Sequence, residues 1–135
     1  MISPLPAAIG DEEDLARFVF FQGHVRADLT IKPDALIPHP YPDLSVNRRH
    51  GADEAGIWAD ARTVERQRGR PLVGRADLLA ADYRARRLSV QSDPVEGNAR
   101  HALVLGWPAE KSAQKNIAQL LVARARYHAA PAANR

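Results

Sequence analysis

The sequence predicts a single α+β domain: a small, mainly antiparallel sheet with two principal helices packed on it. Three observations predict it. Short runs dense in β-branched, aromatic or aliphatic residues, at 17–21, 43–48 and 102–105, have the length and composition of strands. Two longer segments, 52–68 and the stretch beyond Pro108, carry apolar residues at spacings of three and four. Neither flank of the Pro-rich stretch 38–42 is large enough to fold well alone, so the 135 residues read as one domain.

Taken in order, residues 1–10 are rich in Pro and Ala and are expected to lie loosely on the surface, as are residues 128–135. Asp11-Glu12-Glu13-Asp14 would open a short helical turn, because acids favour a helix N-terminus. Arg17-Phe18-Val19-Phe20-Phe21 reads as the first strand. An arginine at its head is either a snorkelling edge residue or an inward anchor for a ligand. Gln22-Gly23-His24 is a turn, and 28–37 is semi-extended. Pro38-His39-Pro40-Tyr41-Pro42 must be extended and polyproline-like. It is either a covering loop or an aromatic, polar rim with His39 and Tyr41 over a pocket.

A short strand, 43–48, leaves that loop and ends at Arg48-Arg49-His50. The helix 52–68 follows, with Asp53 as its cap and Ile57, Trp58, Ala61 and Val64 as its apolar stripe. Over 76–87 the local signals conflict: Ala, Leu and Arg favour helix, while the flanking Leu72-Val73-Gly74 and Leu88-Ser89-Val90-Gln91 favour strand. Residues 93–98 are a loop by composition. They deliver the chain to Asn98-Ala99-Arg100-His101, to the buried strand 102–105, and to the Gly106-Trp107-Pro108 break. The last helix starts behind Pro108, with Ala113, Ile117, Leu120 and Leu121 on its apolar arc and Arg124 also falling there.

Leu44-Ser45-Val46, following an Arg-bearing first strand, and Asn98-Ala99-Arg100-His101-Ala102 together resemble a pattern of small bacterial proteins with no assigned activity. That group carries Asn-Pro-x-His-Ala, and here Ala99 stands in place of the proline. The resemblance implies a compact domain in which these two strands meet, and an extended segment at 74–83. It implies no activity.

Composition sets limits on function. There is no cysteine, which excludes disulfides, thiolate catalysis and Cys-based zinc sites. No apolar run has the length of a membrane span, and the N-terminus lacks a basic leader, so a cytoplasmic location is the expectation. The five histidines lack helical or strand spacing for a shared metal, and no cofactor motif is present. Residues 1–47 are acidic on balance and 48–135 basic, and sixteen of the nineteen bases are arginine. Arginine makes bidentate pairs with phosphates and carboxylates.

The leading expectation is therefore non-catalytic recognition of an anionic partner, nucleic acid or an acidic protein surface, by an accessory protein compatible with a homo-oligomer. Arg48, Arg49, His50, Trp107, Lys111 and Lys115 would contact it, with Arg62, Arg66, Arg68 and Arg70 as further phosphate ligands and Tyr41 or Trp107 as stacking platforms. The alternative is a small enzyme acting on a phosphate-bearing or nucleotide ligand, with Arg17, Ser45 and His101 in one pocket beside Arg48. The Arg…Ser order is similar to that of ADP-ribosyl-transferring folds, with Glu96 as the only candidate for their acid. A Ser45–His101–Asp triad can be drawn on paper but lacks the Gly-x-Ser-x-Gly elbow.

Overall fold

Alternation along the first strand organises the molecule. In the computed structural model, which describes residues 5–132, β1 (Asp14–Val19) buries Leu15 in the main core and Ala16 and Phe18 in a second cluster. Successive strand side chains point to opposite faces, so both faces of β1 are covered. The other strands are β2 (Leu44–Arg48), β3 (Gly74–Leu79), β4 (Ser89–Ser92), β5 (His101–Leu105) and β6 (Arg126–Ala129). They form one six-stranded sheet in the order β4-β5-β2-β1-β3-β6, antiparallel throughout. The α+β class expected from the sequence is what the chain adopts, and the Leu44-Ser45-Val46 and Ala102–Val104 segments do meet, as neighbouring strands.

The two long helices pack on opposite faces. α1 (Glu54–Arg68) sets Ile57 and Ala61 against Ala16 and Phe18. Asp53 caps it, accepting from Gly56 N–H at 2.7 Å, and Gly69 ends it in the left-handed conformation. α3 (Lys111–Val122) packs Ala118 and Leu121 into the main core with Leu15, Val46, Leu78 and Val104. Its buried arc is turned from the expected one. Gln114, Ala118 and Leu121 are inside, while Leu120 is 53% exposed. Gln114 can be buried because its amide donates to Pro108 O at 2.8 Å and accepts from His39 N–H at 3.2 Å.

Other boundaries moved for tertiary reasons. Asp14 is already in β1, paired with Leu79 of β3, rather than in a helical turn. The ambiguous 76–87 stretch is both: β3 runs to Leu79, and α2 (Ala80–Arg84) then starts, with Asp82 accepting from Leu79 N–H at 2.9 Å. Arg124 lies beyond α3, exposed beside Asp82. The C-terminal segment does not fray at residue 128, because β6 continues to Ala129 along β3. Tyr127 packs on the core and donates to Val73 O at 3.1 Å. A Cβ at Gly74 would collide with the Tyr127 hydroxyl and the His128 carbonyl, so β6 can approach only a glycine there. Ile9 is buried, which ties down part of the expected loose N-terminus; residues 1–4 and 133–135 lie outside the described residues.

Candidate anion-binding cleft

The sheet is open along one seam. β1 pairs with β3 at six positions, but with β2 at only two, Leu15↔Arg48 and Ala16↔Asn47. Beyond Ala16 the two strands no longer form a ladder, and Arg17 fills the seam. Its Nη1 donates to Ser45 O across the gap at 3.0 Å, and its Nε to Ala35 O at 3.1 Å. Arg17 borders three cavities. The largest, about 550 Å³, is rimmed by Tyr41, Asp43, Arg68 and Arg70. An inner one of about 180 Å³ lies between Phe20, Val64, Val95 and His101. Both share Arg17, Ser45 and Arg68 as a common wall. The third, about 270 Å³, lies toward His24, His39 and Lys111.

The electrostatics of this wall differ from those of the two fully buried arginines. Arg48 is fully buried, but Glu13 holds it bidentately at 2.6 and 2.8 Å, with Pro6 O and Ser92 Oγ as further acceptors. Arg75 is fully buried between Asp77, Glu54 and the Trp58 ring. Arg17 has only neutral carbonyls; among the described residues no carboxylate lies within ion-pair distance of it. Burial, and then the positive charge of Arg68, lower its pKa to about 10. Arg68 itself leaves the last turn of α1, lies over Phe20 at 5.2 Å and has no carboxylate partner among the described residues. Arg70 follows the Gly69 turn. Asp43 is the single acid on the rim of the large cavity.

The far wall is built by the Asn98–His101 stretch. Asn98 and Asn47 exchange reciprocal amide hydrogen bonds, both 2.9 Å, in a buried setting. Asn47 also donates to Asp60 at 3.3 Å, and Arg100 clamps the same carboxylate at 2.9 Å. These bonds fix loop 93–98 against β2 and α1. His101 faces the inner cavity, with Nδ1 at 2.9 Å from Asp93 O and 3.1 Å from Asp93 Oδ2. The Asp93 carbonyl can only accept, so Nδ1 carries the proton of that bond and Nε2 is the ring nitrogen without a partner among the described residues.

The sequence-derived sets fare differently. Arg17, Ser45 and His101 do line one cavity. Arg48 is not with them. It is fully buried, is held by Glu13 and lines neither of the cavities that contain Arg17 and Ser45, so the structure does not place it with the residues of either expected set. Arg49 is engaged by Asp77 and Glu54. With His50 it lines a hollow that also holds Glu12, Glu13 and Asp14, a setting that repels anions. Trp107 is a core wedge, donating to Val104 O at 3.0 Å. Lys111 and Lys115 are exposed on α3, and only Lys111 reaches a cavity that Arg17 borders. The six expected contact residues therefore form no common surface. Arg68 and Arg70, read from sequence only as generic phosphate ligands, are the cations placed with Arg17. Asp93 and Asn47 carried no signal beyond being polar. Among the described residues no group of His, Asp and Glu could hold a metal, and no helix is long and apolar enough to cross a membrane.

No family model, curated protein or solved structure matches the chain.

Proposed function

We propose that the protein binds a phosphate-bearing ligand at the wall formed by Arg17, Ser45 and Arg68. The observation that carries this reading is Arg17: a partly buried cation in the sheet seam with no carboxylate partner among the described residues, in a protein that neutralises its two fully buried arginines, Arg48 and Arg75, with acids. Arg68 and Arg70 add charge on the same side. An anion there would take charge-assisted hydrogen bonds from guanidinium forks. The adjoining volumes have the scale of a small-molecule site. Tyr41, 72% exposed at the rim, offers a flat apolar face to a ligand's ring. Recognition of an acidic protein or a duplex by a broad basic face is less well supported, because Arg48, Arg49, Arg62 and Arg100 are already paired with acids.

The test is urea unfolding in phosphate against chloride at equal ionic strength. A ligand at a hundred times its Kd stabilises the folded state by about 2.7 kcal/mol. Phosphate is expected to raise the unfolding midpoint of the wild type, and the exposed-site variants Arg68→Ala and Arg70→Ala to lose most of that gain. An equal gain in both variants, or none in the wild type, rejects the reading.

A further inference from the structure

We infer that the cleft cleaves an RNA phosphodiester, with His101 Nε2 as general base toward the 2′-hydroxyl next to the scissile phosphate; this rests on the phosphate site proposed above. The cavities supply the first argument. Two of them meet at one wall, Arg17, Ser45 and Arg68, with room on either side. A phosphodiester has one charged centre and two arms, so it fits that division better than a monoester, which has one.

The second argument is His101. Asp93 fixes the ring through Nδ1, with the carbonyl at 2.9 Å and the carboxylate at 3.1 Å, and leaves Nε2 with its lone pair. Nε2 has no hydrogen-bond partner among the described residues, although the side chain is only 16% exposed. A ring held in one tautomer, backed by a carboxylate and lining the same cavity as Arg17, Ser45 and Arg68, is arranged to accept a proton.

The nucleophile follows from the neighbours. Ser45 borders the same cavity, but among the described residues it makes no hydrogen bond to His101. In the sheet His101 stands opposite Asn47, and Ser45 opposite Leu103, so the two are diagonal neighbours. The hydroxyl to be activated then belongs to the substrate, and ribose provides one beside the phosphorus. Its oxygen bonds to phosphorus while Nε2 takes its proton. The bond from phosphorus to the 5′ oxygen breaks, and that oxygen takes a proton from solvent. The products are a 2′,3′-cyclic phosphate and a free 5′-hydroxyl, and His101 returns its proton to solvent. Arg17 and Arg68 offset the charge that builds on the phosphoryl oxygens.

The probe is the dinucleotide uridylyl-3′,5′-adenosine, with its 2′-deoxyuridine analogue as control and products read by mass spectrometry. The wild type is expected to release adenosine and uridine 2′,3′-cyclic phosphate and to leave the deoxy analogue intact. His101→Asn should slow release by about 10²–10⁴-fold, the usual worth of general base catalysis, while keeping the phosphate-induced shift of the unfolding midpoint. That retained shift also shows that the variant is folded. Asp93→Asn should keep part of the rate, because the Asp93 carbonyl still holds Nδ1. A wild type that binds phosphate yet leaves the ribo-dinucleotide intact overturns the cleavage proposal and spares the phosphate site. Equal cleavage of the deoxy analogue, or undiminished cleavage by His101→Asn, overturns it as well. If phosphate gives no shift in the wild type, the underlying site fails.

Discussion

Replacing Arg17 by methionine separates a binding arginine from a structural one, with Arg48→Met as the comparison. The pKa of Arg17 falls from the ordinary arginine value to about 10. At 1.36 kcal/mol per unit this places the cost of keeping it charged at up to about 3 kcal/mol, less whatever water in the cleft screens. The sign is fixed by linkage. The folded pKa lies below the unfolded one, so the unfolded chain holds the extra proton between about pH 10 and the ordinary arginine value. Stability rises with pH through that window, and at pH 7 the protein carries the whole cost. Methionine removes the charge but leaves Ala35 O and Ser45 O without their donors, at about 1–3 kcal/mol each if they stay dry and less where cleft water reaches them. The two effects oppose each other. Arg17→Met should lose less than about 3 kcal/mol, and its phosphate-induced gain should vanish. Arg48→Met strands Glu13, whose side chain is 9% exposed, and should cost about 3–5 kcal/mol. Urea unfolding followed by circular dichroism, with midpoints compared at equal slope, reads both. Should Arg17→Met lose as much as Arg48→Met, the protein itself neutralises Arg17 and the case for an anion there collapses.

Two further predictions concern the walls of the cleft. Asn47→Ala and Asn98→Ala each strand a buried amide and should each cost about 1–3 kcal/mol, while the double variant should fall well short of their sum; strict additivity in the cycle would show that the pair is not coupled. Glu65 accepts Leu72 N–H at 2.6 Å, and this bond, aided by Arg62, lowers its pKa. Its contribution is present above the ordinary glutamate value and is lost as pH falls through the lowered one, so Glu65→Gln should flatten the acid limb of stability against pH; an unchanged limb contradicts the assignment.

What could be read from the sequence was whatever depends on local chemistry. Run length and composition pointed to strands at 43–48 and 102–105, where Leu44–Arg48 and His101–Leu105 form, and spacings of three and four located both long helices, because side-chain spacing decides which helix face is apolar. Asp53 was recognisable as a cap for the same local reason. Arg17 was recognisable as an oddity, a cation heading an apolar strand, although its role was not. Where a residue's partner lies far along the chain, spacing says nothing. The strand-to-helix change at Leu79 depends on pairing with Asp14. The strand at Arg126–Ala129 depends on β3 accepting an edge partner beside Gly74. The rotation of α3 depends on Gln114 finding His39 and Pro108.

The site divides along the same line. That arginine dominates the cations, and that Arg17, Ser45 and His101 are chemically capable residues, belongs to the sequence. Which arginines remain free of acids was decided only by tertiary structure. Glu13 reaches Arg48 across 35 positions, whereas no acid among the described residues pairs with Arg17. An ion pair depends on distance in space, within a few ångströms, and no run of residue types along the chain encodes that distance.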